Sequence, residues 1–285
     1  MSSYINQATN YLRSIPIHLP RTHNQRLTLA FGTLAAFGTS LILPALYRDY
    51  NLFISYGPGG VPSNLLGWMI VRAVFQPLRG EMLSTDIYIQ RADALEGHGV
   101  GSEGFLTLLP EQARSVVDRP YVGPHVVPQR QLSQLPKDEI KEASLSIKLD
   151  ARFRAFGRRN DHLIRFDRSL QEAHADAFFL ANRLPPTELA KATRGELAHL
   201  HSGGEYSAHF ALSPADCKKV IEAGWGQRHG FSGTSAMTWL TIGTRPDIPA
   251  EYLLIYAPRN DAEIDTFMQL LEASIKYTTG REDVR

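Results

Sequence analysis

The longest apolar stretch of the chain lies near its N-terminus. From Leu27 to Leu46 no charged residue occurs, and Arg26 and Arg48 flank the stretch. About 20 apolar residues are enough to span the hydrocarbon core of a bilayer. The pattern therefore predicts a transmembrane anchor over 27–46. A signal peptide fits less well, because the stretch starts late and no small-residue cleavage site follows it. A buried core helix is the third interpretation.

The charges around the anchor do not settle on which side of the membrane the rest of the chain, after the anchor, lies. Arg13, Arg21 and Arg26 precede the anchor and favour a cytoplasmic N-terminus under the positive-inside rule. The lack of N-glycosylation sequons and the single cysteine favour a cytosolic body instead. We expect a single-pass protein of the endoplasmic reticulum or another endomembrane, with its orientation open.

Residues 47–142, between the anchor and the patterned C-terminal part, predict little regular structure. Ser63 is expected to cap a helix over 64–75. Its apolar character so close to the anchor suggests a membrane-proximal helix. Residues 92–142 are rich in Gly, Pro, Gln and charge, which predicts extended loops. We therefore separate an N-terminal segment, 1–26, the anchor, this linker region and a catalytic domain over 143–285.

The C-terminal domain alternates apolar patterns typical of strands and helices. Strands are predicted over 169–180, 196–201, 206–212 and 252–257, and helices are predicted after Ser213 and Asn260. This order predicts an α+β fold, a mostly antiparallel sheet with helices packed on one face, preceded by the transmembrane helix.

A histidine-rich hairpin is predicted at the centre of this domain. His199 and His201 are two residues apart in one strand and therefore share a face. A tight turn at Gly203-Gly204 would place Ala208 opposite His199. In that register His209 points to the other face, unless a β-bulge brings it back.

Composition and charge exclude two classes of site. The chain has 285 residues and a net charge of +1, so no sequence-wide basic field is available to hold nucleic acid. Cys217 is the single cysteine, which excludes an intrachain disulfide and a cysteine-rich metal site.

The histidine cluster has three possible interpretations. His199, His201 and Glu205 have the spacing of the first metal motif of cupins, which hold iron or manganese. Metal-free acid–base catalysis is the second, because imidazoles titrate near neutral pH. The third is purely structural, with each imidazole hydrogen-bonded within the hairpin. The helices predicted beside the strands do not suit an all-β cupin barrel.

Two further motifs, GWGQRH and YAPRN, contain side chains that could bind a flat, acidic ring. Trp225 would stack on the ring, Arg228 would hold an enolate or carboxylate, and His229 adds a proton site. Tyr256 and Arg259 lie where a strand gives way to a helix, a common place for ligand contacts. The structural alternatives are a tryptophan that fills the core and a junction that only caps the helix.

The motifs together resemble the C-terminal domain of fungal luciferases. The resemblance is dense over Arg194–His201, His209, GWGQRH, YAPRN and EASIKY, and it extends more weakly upstream through EAHADAFFL to YRDY. It implies an enzyme that oxidises 3-hydroxyhispidin, a styryl-pyrone, with molecular oxygen. An endoperoxide then loses carbon dioxide and leaves an excited product. The resemblance implies no metal or organic cofactor.

The resemblance and the motifs together give a candidate site. Proton transfer falls to His199 and His201, with Glu205 orienting one of them. The remaining candidates stabilise the anion or bind the substrate: Arg228, His229, Trp225, His209, Tyr256, Arg259 and His174. A non-luminous homologue is an open alternative, because members also occur in fungi that do not glow. A metal-dependent cupin-like enzyme and a non-catalytic, membrane-tethered binding module are two further open alternatives.

Overall fold

A computed structural model of the chain describes residues 22–55, 61–89, 104–107, 109–110, 140–170, 175–202 and 206–285. The chain divides into two compact units, Met1–Asn51 and Leu52–Arg285. Helix α1, His23–Ser55, makes up the described part of the first unit and continues into the second.

Helix α1 contains the whole apolar stretch. It is long and apolar enough to cross a membrane, judged by length and composition, and none of its most apolar window is buried. A buried core helix is therefore not supported. A membrane anchor and a signal sequence both remain consistent with this helix.

A short helical segment opens the described part of the second unit. Helix α2 covers Leu65–Ile70, and the side chain of Asn64 caps it by accepting the N–H of Gly67 at 3.1 Å. The cap therefore lies one residue after the expected Ser63. The predicted single helix also ends early, because a π-helical turn, Val71–Phe75, follows directly.

A six-stranded antiparallel sheet forms the centre of the second unit. Its strands are β1 Ile164–Arg168, β2 Asp176–Leu180, β3 Glu196–Leu200, β4 Ala208–Ala211, β5 Gly226–Arg228 and β6 Tyr252–Ile255. They lie in the order β1-β2-β3-β4-β6-β5. The helices between and beside them are α3 Ile140–Arg159, α4 Glu188–Ala192, α5 Pro214–Glu222, α6 Ala236–Leu240 and α7 Asp261–Thr279.

One face of the sheet packs against long helices and carries the main hydrophobic core. On this face Phe178 of β2 stacks on Phe153 of α3, with ring centroids 4.2 Å apart. Phe210 of β4 meets Phe267 of α7 at 5.1 Å. Tyr88 belongs to the same core. Part of the predicted linker region is therefore built into the domain.

The α+β class and the antiparallel sheet are confirmed, and so are two helix caps. Ser213 and Asn260 cap α5 and α7 through their side chains. Helix α3, strand β1 and helix α4 were not predicted. Helix α3 begins at Ile140, so the expected domain start at 143 falls inside it.

Candidate active site

The strand register places three histidines on one face of the sheet. His199 of β3 pairs directly with His209 of β4, and Leu200 pairs with Ala208. The register expected from a tight turn at 203–204 is therefore wrong. Residues paired across an antiparallel ladder point to the same face, so His209 joins His199 and His201 on the face away from the long helices. We call this the histidine face.

A fourth histidine and a tyrosine complete the cluster. The ring centroids of His199 and His201 are 5.1 Å apart, and those of His209 and His229 are 5.4 Å apart. Tyr252 of β6 stacks on His209, with centroids 4.8 Å apart and an interplanar angle of 7°. The histidine face therefore gathers four imidazoles and a phenol.

Each imidazole of the three buried histidines is anchored through its Nδ1 atom. Nδ1 of His199 lies 2.7 Å from a carboxylate oxygen of Glu196, and Nδ1 of His201 lies 2.9 Å from the hydroxyl of Ser207. Nδ1 of His209 lies 3.2 Å from the backbone carbonyl of Leu253. These contacts orient the rings, and Nε2 of His199 and Nε2 of His201 lie next to each other.

The Nε2 atoms meet inside the cluster. Those of His199 and His201 are 3.2 Å apart. Ring nitrogens of His199, His201 and His209, one from each residue, all lie within 4.8 Å of one another. Among the residues that the structure describes, these three are the ones placed to hold a metal ion.

A buried carboxylate, that of Glu196, contacts the cluster through His199. Burial raises the pKa of Glu196, but its contacts with His199, the Leu170 N–H and the Ser169 hydroxyl outweigh burial and hold the pKa below its usual value. The N–H and hydroxyl donors lie 2.7 and 2.8 Å away. Glu196 is therefore a buried anion whose partner is an imidazole.

The environment of His209 keeps its imidazole neutral. Burial and the nearby charges of His199, His201 and His229 hold the pKa of His209 well below its usual value. The side chains of His199, His201 and His209 are 0%, 3% and 8% exposed, whereas His229 is half-buried. A neutral ring can accept a proton or bind a metal, and His229 is the most accessible of the four.

A cleft lies next to the cluster, and Glu196 and Tyr252 are the residues that the two share. Its volume is about 450 Å³, counting the part open to solvent, and Arg194, Arg245 and Asp247 line it together with apolar side chains. Both arginines are exposed. The two arginines share this cleft with two carboxylates, those of Glu196 and Asp247.

The C-terminal part of the chain matches a known family. Residues 194–274 match the family model described as a luciferase domain. The chain is 31% identical over 278 residues to a luciferase of Armillaria gallica, with 92% of each protein covered. It is 32% identical over 260 residues to a luciferase of Armillaria mellea, covering 86% of each. A luciferase of Neonothopanus nambi is 29% identical over 284 residues, covering 94% of each.

The chain belongs to the fungal luciferase family. The resemblance drawn from the sequence motifs is thereby confirmed, and membership supports a luciferase-like function in general terms. No solved structure is significantly similar to the chain. The segment that matches the luciferase domain contains all four histidines of the cluster and both arginines of the cleft.

Two expected site residues of this luciferase-family chain lie away from the histidine face. Arg228 pairs with Leu253, on the face that carries the long helices, and its guanidinium donates to Glu81 at 2.9 Å. Trp225 is buried in the main core, and its indole N–H donates to the carbonyl of Pro110 at 2.9 Å. The structural alternative for Trp225, a residue that fills the core, agrees with this placement.

Tyr256 and Arg259, at the strand-to-helix junction, also make contacts within the protein. The hydroxyl of Tyr256 donates to the side chain of Gln227 at 2.9 Å. Arg259 forms an ion pair with Glu263 of α7, with a 2.6 Å contact, and its backbone N–H donates to the same carboxylate. The capping interpretation of this junction fits these contacts. His174 and Glu205 lie outside the described residues.

Glu196 and Tyr252 were not expected at the site. A usable signal existed for Glu196, because it is the one acidic residue in the stretch Glu196–Leu200, whose other residues apart from His199 are apolar. Acidic residues are almost never fully buried without a partner. No sequence pattern identifies Tyr252, because its contact with His209 depends on the pairing of β4 with β6.

Proposed function

We propose that the chain catalyses the oxygen-dependent oxidation of 3-hydroxyhispidin or a related acidic pyrone. Both atoms of molecular oxygen add to the ring to form an endoperoxide, which then loses carbon dioxide. The convergence of four histidines on one sheet face, beside a cleft lined by two arginines, is the observation that carries this proposal. Membership of the luciferase family supplies the reaction class.

The cleft suits the charge of such a substrate. A hydroxypyrone loses its enol proton before it reacts with oxygen, so the enzyme has to hold an enolate. Arg194 and Arg245 provide positive charge at the cleft, and the buried imidazoles of the histidine face provide polar groups in a low-dielectric environment. Proton transfer by His199 and His201 stays a prediction.

The hydrogen bonds of His229 give it a defined role in the proposal. Its Nδ1 accepts the N–H of Phe231 at 3.1 Å, so the proton of the neutral ring is on Nε2. An Nε2–H group beside the cluster can donate to an oxyanion or a peroxide as charge develops there. We therefore propose His229 as the donor without Arg228, whose guanidinium binds Glu81 on the other face of the sheet.

The N-terminal helix gives the proposal a location. We propose that α1 anchors the enzyme in an endomembrane, because its apolar side chains are exposed and it is long enough to span. Extraction of the chain from washed membranes by detergent, but not by alkaline carbonate, would support an integral anchor. Release as a shortened soluble protein would favour a signal sequence.

The direct test supplies 3-hydroxyhispidin and oxygen to the detergent-solubilised chain and records oxygen uptake, carbon dioxide and photons together. Turnover with light identifies a luciferase, and carbon dioxide without photons identifies a non-luminous oxygenase. Binding without oxygen uptake would favour the binding-module alternative. His201→Ala and His229→Ala test the location of the site. If both keep the turnover of a His162→Gln control, the histidine face is not the active site.

A further inference from the structure

The arrangement of the three buried imidazoles has the pattern of a metal-binding site. Each Nδ1 atom contacts an oxygen of the protein: a carboxylate for His199, a hydroxyl for His201 and a backbone carbonyl for His209. Histidines that bind metals almost always hold their second ring nitrogen in this way, which fixes the tautomer and aims the other nitrogen at the ion. The Nε2 atoms of His199 and His201 lie 3.2 Å apart, and a ring nitrogen of His209, from the adjacent strand, lies within 4.8 Å of the other two residues' ligand nitrogens.

The distances inside the cluster also fit an ion. Metal–nitrogen bonds of about 2.0–2.1 Å place ligand nitrogens roughly 3.0–3.4 Å apart. The Nε2 atoms of His199 and His201 are already 3.2 Å apart. All three ligand nitrogens lie within 4.8 Å of one another, so small side-chain rotations of His209 would complete the set.

We propose that His199, His201 and His209 bind one divalent first-row transition-metal ion through their Nε2 atoms. Neutral imidazoles suit Fe²⁺, Co²⁺, Ni²⁺ and Zn²⁺, whereas Mg²⁺ and Ca²⁺ take oxygen ligands. Three protein ligands leave a coordination position open, as in catalytic sites. This set includes His209 in place of Glu205 in the metal alternative drawn from the sequence.

The metal would change what the histidines do. A cation at this position stabilises a bound enolate, so His199 and His201 need not carry the proton themselves. Binding of the ion through Nε2 requires the proton of neutral His201 to be on Nδ1, where the hydroxyl of Ser207, 2.9 Å away, can accept its hydrogen bond. This inference deepens the proposed oxidation and rests on it for the substrate, but metal binding can be measured without turnover.

Cobalt is the probe for the first experiment. The detergent-solubilised full chain is freed of metal with a chelator and titrated with Co²⁺, while visible absorption and bound metal are measured. We expect one Co²⁺ per chain and the intense visible bands of a low-coordinate site. His209→Gln should weaken binding by more than the ~10–100-fold that loss of an outer hydrogen-bond partner costs. His162→Gln, which changes a histidine outside the cluster, should bind as the wild type does.

A second variant keeps the inference testable if His209→Gln does not fold. Glu196→Gln leaves all three ligands in place and removes the charge behind His199. We expect Co²⁺ affinity to fall by ~10–100-fold. Circular dichroism of each variant shows whether it has folded.

Two results would overturn the inference. One is a folded wild-type protein that binds no Co²⁺ or Zn²⁺ at a defined stoichiometry. The histidines would then serve only as a network of hydrogen-bonded side chains. The other is Co²⁺ binding that His209→Gln and Glu196→Gln both leave unchanged. Turnover by metal-free protein would show that the oxidation does not need the metal, and it would leave the proposed oxidation in place. Bound metal without any turnover of 3-hydroxyhispidin would support the metal site and contradict the proposed substrate.

Discussion

His199 and His209 lie directly opposite each other on adjacent strands, with their ring centroids 5.0 Å apart. This pairing gathers the histidine cluster on one face of the sheet and leaves the other face to the hydrophobic core. It brings together imidazoles that are ten positions apart in the sequence.

Glu196→Gln should lower turnover by ~10–100-fold without unfolding the protein. The carboxylate holds Nδ1 of His199 at 2.7 Å. The single carbonyl oxygen of a glutamine can still accept from the N–H of Leu170, and its amide group can donate to the hydroxyl of Ser169. Oxygen uptake with 3-hydroxyhispidin measures the effect. Glu188→Gln is the control, because that side chain is 90% exposed and lies outside the cluster. Equal turnover in the two variants would remove Glu196 from the site.

Replacing His229 should affect the maximal rate more than substrate binding. Its Nε2–H is the donor that we assign to the developing anion, so His229→Phe loses the hydrogen bond and keeps a flat ring. Loss of one such donor typically lowers kcat by ~100–1,000-fold. Steady-state kinetics separates kcat from KM. A variant with a raised KM and an unchanged kcat would contradict the assignment.

The double variant Arg194→Ala, Arg245→Ala should raise KM by several-fold and leave kcat nearly unchanged. Both side chains are exposed at the cleft, so their attraction for an anion acts mainly on capture and weakens with salt. KM measured at low and high ionic strength should differ less in the variant than in the wild type. Arg183→Ala is the control, since Arg183 donates to backbone carbonyls elsewhere.

The ion pair of Glu81 with Arg228 should contribute to stability and not to turnover. Burial raises the pKa of Glu81, but the N–H groups of Leu83 and Ser84 and the charge of Arg228 outweigh it and lower the pKa below 4.5. The contribution is therefore present above pH 4.5 and is lost as the pH falls through the folded-state pKa. Glu81→Gln should lower the free energy of unfolding at pH 7 by at most about 1 kcal/mol, because the carboxylate is largely exposed.

Chemical denaturation of wild type and Glu81→Gln between pH 7 and pH 3 checks this. The two curves should converge at low pH. Loss of turnover in a folded Glu81→Gln variant would instead connect this ion pair to the active site.

Gly157→Ala should destabilise the domain. A Cβ atom at this position would lie 2.4 Å from the ring of Phe166 and 2.6 Å from the ring of Phe178. Overpacking of this kind costs about 1–3 kcal/mol, which thermal unfolding would show as a lower Tm. Gly38→Ala is the matched control, because no atom lies within 4 Å of the added methyl group. An unchanged Tm for Gly157→Ala would mean that α3 moves away easily.

The sequence by itself determined those features that depend on short stretches of chain. The apolar run predicted α1, and the side chains of Ser213 and Asn260 predicted where α5 and α7 begin. Such signals are local, because a cap or an apolar stripe acts within a few residues. The alternation in 196–201 likewise placed His199 and His201 on one face.

Only the tertiary structure decided which groups meet. The pairing of β3 with β4 sets the register that brings His209 to the histidine face, and a shift of one residue would have pointed it away. Arg228 and His229 are neighbours in the sequence, yet the pairing of Arg228 with Leu253 directs the arginine to the helix-covered face, where Glu81 binds it. Side chains alternate between faces along a strand, so adjacent residues in a motif can serve different sides of the sheet. The site therefore depends on strand pairing, which no short motif encodes.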